Sequence, residues 1–274
     1  MKTVLITGSS SGIGKAIARY FHQKGWQVAA TMRNPEQEKE LLNLENIKLY
    51  RLDVCDKSTI HETIRLVITD FGGINVLVNN AGYGLVGPFE ASTEEQIQRQ
   101  FDTNVFGLMN VTRAIIPHFR ERKGGTIINI TSVGGRMSFP LYGLYNSTKW
   151  AVEGFSESLQ YELRPFGIKI RLIEPGAIKT DFYDRSMDVI KKKGLNVYDS
   201  YVHRVFNNIQ DMGASAEGPE IVAKKTYKAA VNRGHRLRYS VGGGAPVLLF
   251  MKRILPERLF FMGIRTRVEK GRHS

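Results

Sequence analysis

Tyr145 and Lys149 stand four residues apart in the segment LYNSTKWAVEGF at 144–155. The apolar residues around them recur at helical spacing, and side chains four apart on a helix lie one above the other. An ammonium beside a phenol favours the phenolate and lowers the phenol's pKa. The pair is therefore a candidate proton donor and acceptor near neutral pH. On its own, a Tyr-x-x-x-Lys reads first as a half-buried phenol beside a solvated cation, so the rest of the chain must decide. A second stretch with chemistry in it is TGSSSGIG at 7–14. Gly8, Gly12 and Gly14 let the backbone turn tightly and approach a pyrophosphate, and the helix beyond them offers unpaired N–H groups at its positive end. The spacing is Gly-x-x-x-Gly-x-Gly, not the Gly-x-Gly-x-x-Gly of many dinucleotide sites. Taken alone it also reads as a flexible strand–helix turn.

Stepping outward, these groups need elements to position them, and the chain supplies a repeating rhythm. KTVLITG, WQVAATMR, NIKLYRLDV, GINVLVNNAG, GGTIINITS, GIKIRLIEPG and HRLRYSVGG read as strands at 2–8, 26–33, 46–54, 73–82, 124–132, 167–176 and 235–243. Between them the pattern predicts helices over 12–24, a charged stretch after Pro35, 57–71, 93–119, 145–166 and 217–232, the fourth capped by Ser92 or Thr93. Residues 177–215 lose the pattern, as an active-site lid or insertion would. The expected architecture is an α/β fold: a single doubly wound Rossmann domain over 1–244, with a seven-stranded mainly parallel sheet, helices on both faces, and a lid insertion at about 181–215. Ligands bind such sheets beyond the carboxyl ends of the strands, which is where the motifs fall.

The end of the second strand bears on the choice of dinucleotide. An acidic residue there would bind the ribose 2′-hydroxyl of NAD. This chain has Thr31-Met32-Arg33 instead. Arg33 can pair a 2′-phosphate in bidentate fashion, and Thr31 can add a hydroxyl. NADP(H) is therefore expected in preference to NAD(H), with NAD(H) left open, since Arg33 can also be a solvated loop cation and Ser11 stands where a basic residue would strengthen the case.

With TGSSSGIG, Asp53, NNAG at 79–82, Ser132 ahead of YNSTK, and EPGAIKT at 174–180, five motifs occur together in one order. In these the sequence resembles the short-chain dehydrogenase/reductase family, from Lys2 to about Thr180 and more loosely through the seventh strand. The resemblance implies an oxidoreductase acting on CH–OH or C=O. It implies that Gly8, Ser10, Ser11, Gly12, Ile13 and Gly14 hold the cofactor phosphates, Asp53 and Val54 the adenine, and Asn80, Ala81 and Gly82 the adenosine ribose. Pro175, Gly176, Ile178 and Thr180 would hold the nicotinamide amide and phosphates. Tyr145 would be the acid/base, Lys149 its partner and a ligand of the nicotinamide ribose, and Ser132 the donor to the substrate oxygen. Asn104 would hold a water linking Lys149 to solvent. Individually, Asp53 could end a strand, Ser132 satisfy a backbone group and Asn104 cap or kink its helix.

The chain has 274 residues, enough for a large core without covalent staples. Its one cysteine, Cys55, excludes an intrachain disulfide and a cysteine-rich metal site. His61, His118, His203 and His235 have no metal-ligand spacing, and no metal is expected. Neither a secretory leader nor an apolar run of membrane-spanning length is visible, so the expected location is cytoplasmic or peripheral to a membrane. The substrate side offers Met137, Phe139, Pro140, Leu141 and Tyr142, and then Phe182, Tyr183, Met187, Val189, Tyr198, Tyr201 and Phe206. Few fixed charges lie among them, which points to a small hydrophobic carbonyl or alcohol; the alternative is that these aromatics only close the lid.

The net charge is +13, and from Arg233 to Ser274 ten Lys/Arg meet only two Asp/Glu. The basic, amphipathic extension 245–274 reads first as a plain solvated basic surface; the second reading is two short helices over 246–264 that cover the substrate mouth or touch a lipid surface. Nucleic acid is not expected, because no reading module accompanies the charge. The resemblance implies a homo-oligomer through the helices at 93–119 and 145–166. Two other functions compete with the enzyme: a non-catalytic dinucleotide-binding redox sensor, and a basic membrane-surface interaction protein.

Overall fold

The computed structural model describes residues 1–180, 187–214 and 216–270. Its strands are β1 (Thr3–Ile6), β2 (Gln27–Met32), β3 (Ile47–Arg51), β4 (Val76–Asn79), β5 (Gly84–Val86), β6 (Gly125–Ile130), β7 (Ile168–Pro175), β8 (Met187–Val189) and β9 (Arg238–Val241). Its helices are α1 (Gly12–Gln23), α2 (Lys57–Phe71), α3 (Glu94–Phe101), α4 (Leu108–Glu121), α5 (Gly143–Leu163), α6 (Asp199–Ala214), α7 (Glu220–Val231), α8 (Ala245–Ile254) and α9 (Glu257–Arg265). Seven strands make one parallel sheet in the order β3-β2-β1-β4-β6-β7-β9. This is the expected doubly wound Rossmann sheet, and its order reverses between β1 and β4.

Successive side chains on a strand point to opposite faces, and here both faces are covered. Val4, Ile6, Val76 and Val78 pack with Ile17 and Phe21 of α1 and Val222 and Ala223 of α7. Leu5, Leu77, Ile127 and Ile170 face the other way, onto α2, α4 and α5 through Ile64, Val111, Ile115 and Leu159. Burial on two sides explains why these strands are continuously apolar rather than alternating. Within the second layer lies a buried polar chain. Asn79 Nδ2 donates to Thr112 Oγ1 (3.0 Å) and Asn129 Oδ1 (2.9 Å), and Asn129 Nδ2 donates to Ser156 Oγ (2.8 Å). It ties β4 and β6 to α4 and α5.

Several expected elements differ. The charged stretch after Pro35 is two 3₁₀ turns, Pro35–Gln37 and Leu41–Asn43. The Glu38 carboxylate accepts from the backbone N–H of Glu40 (2.8 Å) and Leu41 (3.1 Å) and meets Lys15 at 2.9 Å. A side chain that binds nearby backbone in this way competes with helix continuation. The long helix expected over 93–119 begins as predicted, with a capping box between Thr93 and Gln96. It is then interrupted by a π-helical segment, Asp102–Gly107. The irregular stretch holds β8, which pairs in parallel with β5, and α6; the lid residues 181–186 and 215 lie outside the described residues. The extension does form two short helices, α8 and α9. Among the described residues no helix is long and apolar enough to cross a membrane, and no group of three or more His, Cys, Asp or Glu could hold a metal.

Replacing Asn129 removes one of the two acceptors of Asn79 Nδ2 and the donor to Ser156 in a buried layer, and an unsatisfied buried polar group costs about 1–3 kcal/mol. Asn129→Ala is expected to lower the unfolding free energy by about that amount, read from urea denaturation at unchanged m-value. A loss below a few tenths would mean that the chain of amides is not what holds α4 and α5 to the sheet.

Candidate active site

At the carboxyl ends of β1, β2, β3, β4 and β6 the chain encloses a cleft of about 560 Å³. Its rim begins with the loop after β1. Gly8 takes φ +67°, and a Cβ there would stand 2.9 Å from Ala81 Cα. A Cβ on Gly14 would fall on the Gly8 carbonyl oxygen and 2.5 Å from Asn80 Nδ2. The fit is close because Asn80 reaches across from the end of β4, donating from Nδ2 to the carbonyls of Thr7 (3.0 Å) and Gly8 (2.9 Å). Thr7 Oγ1 in turn accepts from the backbone N–H groups of Asn80 and Ala81, both at 3.0 Å. The result is a fixed loop that leads into α1, whose first turn has no side-chain cap and no acidic residue. Uncapped N–H groups at a helix start, with no carboxylate near, suit an anion. A pyrophosphate therefore fits this cradle.

Of the expected cofactor residues, Gly8, Ser10, Ser11, Gly12, Ile13, Gly14, Arg33, Asp53, Val54, Asn80, Ala81, Gly82, Tyr145, Lys149 and Thr180 line the cleft. Arg33 is exposed at its edge. Thr31 is not available beside it: fully buried, its hydroxyl donates to the Ile6 carbonyl at 3.0 Å. Pro175 and Ile178 are buried, Ile178 within the α1/α7 layer, and with Gly176 they do not line the cleft. Asn104 lies just behind it. Its Oδ1 accepts from Tyr83 N (3.0 Å), and its Nδ2 donates to Tyr83 O (2.8 Å) and Thr148 Oγ1 (3.2 Å). The amide thus ties the segment after β4 to α5.

Tyr145 and Lys149 face the same cleft from the first turns of α5. Lys149 Nζ lies 5.7 Å from the centroid of the Tyr145 ring and donates to the Ile130 carbonyl at 3.0 Å. Burial pulls its pKa down to about 8, against a smaller upward pull from Glu153 one turn further on. Ser132 Oγ accepts from Gly134 N at 3.0 Å, so its hydrogen can be donated elsewhere. A Cβ on Gly134 would sit 3.4 Å from Ser132 Oγ and 3.6 Å from Tyr145 Cε1. Hydroxyl and phenol therefore flank the same glycine.

Some of the site was not visible in the motifs. Thr7, the tether of the phosphate loop, gives no signal beyond its place before Gly8. Tyr83, Arg99 and Asp188 also line the cleft. Arg99 donates to Tyr83 Oη (3.2 Å) and pairs with Asp188 of β8, joining α3 to a segment far along the chain. Behind Lys149 is an ionic cluster, buried at Glu153 and Glu174 and open to solvent at Arg136 and Glu157. Arg238 reaches Glu153 (3.0 Å), Glu157 (2.8 Å) and Glu174 (3.5 Å), and Arg136 reaches Glu174 (3.2 Å). Burial, and then the charge of Glu153, push Glu174 up to about 7, with the two arginines pulling the other way.

The comparisons agree with this geometry. Residues 2–189 match the short chain dehydrogenase family. A 3-ketodihydrosphingosine reductase of Bacteroides thetaiotaomicron is 33% identical over 264 residues, covering 96% of each chain. The crystal structure of a short-chain dehydrogenase from Streptomyces avermitilis superposes with a TM-score of 0.81 at 33% identity, covering 97% of this chain and 96% of that one. ElxO with NADP bound gives 0.74 at 32% identity, over 90% and 99%. The chain belongs to the short-chain dehydrogenase family. It is an oxidoreductase of that class, acting on CH–OH or C=O with a nicotinamide cofactor.

The ammonium of Lys149 is charged below about 8 and loses its proton above. Since Glu153 pulls that pKa upward, Glu153→Gln is expected to move the titration to lower pH. The ¹³Cε shift of Lys149 followed against pH in both proteins measures this; an unmoved midpoint would show that the two charges do not communicate.

Proposed function

We propose that the protein interconverts a hydrophobic ketone or aldehyde and its alcohol, with NADP(H) as preferred cofactor and Tyr145 as acid/base. The observation that carries this reading is that a phenol and an ammonium face the same cleft as the glycine loop. Gly8 to Gly14 would take the phosphates, Asp53 and Val54 the adenine, Asn80 to Gly82 the adenosine ribose, and Thr180 with the 175–178 backbone the nicotinamide end. Arg33 would hold a 2′-phosphate, alone, because Thr31 is turned inward. The nicotinamide, when bound, supplies hydride in reduction and accepts it in oxidation.

The chain's own residues do the rest. Ser132 donates its hydroxyl hydrogen to the carbonyl oxygen, stabilising the charge that develops there. The Tyr145 hydroxyl delivers the proton to that oxygen, and in oxidation the phenolate takes it back. The Lys149 ammonium steadies the phenolate by its charge and would bond the nicotinamide ribose. Asn104 keeps the segment after β4 fixed against α5, and the second lone pair of its Oδ1 would accept from a water linking Lys149 to solvent. We assign this machinery to residues 1–244, with 245–274 as an extension. The substrate class rests on the apolar cluster beside Tyr145, formed by Met137, Tyr142, Val205 and Ile209 with Phe139 and Phe206 at its margin. A relative named as a 3-ketodihydrosphingosine reductase points the same way. Phe182 and Tyr183, also expected here, lie outside the described residues.

Fluorescence titration with NADPH and NADH, followed by a panel of apolar ketones and aldehydes, tests the reading. Arg33→Ala is expected to weaken NADPH about ten- to hundredfold, the worth of a charged hydrogen-bonded contact, and to leave NADH nearly unchanged. Equal loss of both cofactors would remove Arg33 from the 2′-phosphate. Tyr145→Phe is expected to lower kcat about a hundredfold or more while cofactor binding persists. Tight NADPH binding by the unaltered protein with no turnover of any carbonyl would favour a redox sensor instead.

A further inference from the structure

The last described part of the chain is built inside out for a protein surrounded only by water. On α8, Val247, Phe250, Met251 and Ile254 fall at i, i+3, i+4 and i+7, one face of a helix. That face points outward: Val247 is 62% exposed, Phe250 60% and Ile254 57%. On α9, Met262 is 58% exposed and Leu259 and Phe261 join it at the surface. A contiguous exposed apolar patch of this kind marks a surface that meets something.

Neither helix hangs loose. Phe260, Ile264 and Val268 are buried in the cluster that contains Tyr142, Val205 and Ile209, with Tyr145 at its edge. Lys252 is turned inward, donating to the Arg136 carbonyl and lying 4.9 Å over the Trp150 ring. The outward cations are different ones: Arg253, Arg258, Arg265 and Arg267 are all exposed. Over 245–269 they and Lys252 face two carboxylates, Glu257 and Glu269, the second paired with Arg265 at 2.9 Å.

We propose that α8 and α9 seat the protein on an anionic lipid surface, and that the active site draws its carbonyl substrate from that lipid. An apolar row flanked by arginines suits the boundary between acyl chains and headgroups, where the long side chains reach phosphate while the row enters the hydrocarbon. A second copy of the chain suits it poorly. A two-fold contact sets the same patch against itself, and the arginines of one copy would meet those of the other. The cluster under the helices also runs from this surface to Tyr145. On this proposal a lipid-dissolved ketone approaches the acid along this apolar side rather than through bulk water. This last step rests on the oxidoreductase reading above; the seating itself does not.

The test uses the full chain and vesicles of two compositions: phosphatidylcholine alone, and equal parts phosphatidylcholine and phosphatidylglycerol. Sedimentation with the anionic vesicles at low salt, reversed at high salt, is expected. The double variant Phe250→Ser/Ile254→Ser, altered only at exposed positions, is expected to bind about tenfold or more weakly. It should turn over a water-soluble ketone as the unaltered protein does, yet lose turnover of a long-chain ketone carried in the vesicles. No binding to anionic vesicles, or binding that the double variant retains in full, would overturn the seating. If instead the double variant dissociates an oligomer in vesicle-free sedimentation, the patch is a protein contact and the proposal is wrong. Vesicle binding without turnover of any ketone would overturn the substrate route and the proposed hydrophobic-carbonyl activity while leaving the seating in place.

Discussion

The architecture of the site hangs on one side-chain amide. Asn80 crosses the seam where the strand order reverses and holds the carbonyls of Thr7 and Gly8. Those two carbonyls have no strand partner to turn to, because the chain has just left β1. By taking them, Asn80 fixes where the loop must turn, and the turn leaves no room at Gly8 or Gly14 for a side chain. The start of α1 is then aimed at the cleft rather than away from it. Ala81 and Gly82 follow Asn80 directly, so the same tether sets the floor on which a cofactor would lie. An anion site and its floor are thus positioned by a single residue and the threonine that answers it.

The opposite wall solves a different problem, a cation needed in a place that disfavours it. Lys149 is held by a carbonyl and not by a close carboxylate. A carboxylate in direct contact would hold the ammonium firmly but would also oppose a phenolate beside it. Glu153 is set one turn away, where it lends charge without meeting the phenol. Its own burial is compensated by Arg238, which also reaches Glu157 and Glu174. Charge is therefore balanced in layers, from the exposed arginines at the back of α5 to the ammonium at the front.

How much of this could be read from the residues depends on how local each signal is. The seven strands of the main sheet were legible because most are short apolar or alternating runs stopped by glycine, proline or a polar turn. The glycine loop, NNAG and the Tyr145–Lys149 pair were legible because each is a few consecutive residues at a strand end. What was missed is non-local. β5 and β8 have three residues each and pair across about a hundred positions. Glu153, Glu174, Arg136 and Arg238 look like separate surface charges until the fold brings them together. Thr31 was misjudged because β2 is buried almost throughout, so alternation cannot say which face its hydroxyl takes. Glu38 ended a helix that its neighbours' propensities favoured, by an interaction with backbone two and three residues ahead.

The π-helical segment at Asp102–Gly107 makes the length of its helix indivisible. Each residue of an α-helix advances the chain by about 100° around the axis. The wider turn lets Asn104 look toward Tyr83 while Val111 and Ile115 still look toward the sheet. Removing one residue there would restore ordinary winding and swing one of these two groups out of place. Adding one would do the same in the other direction. Changes of length are better borne where turns are solvent-exposed, as around Lys123, than in this stretch, where the geometry depends on the number of residues as well as on their kind.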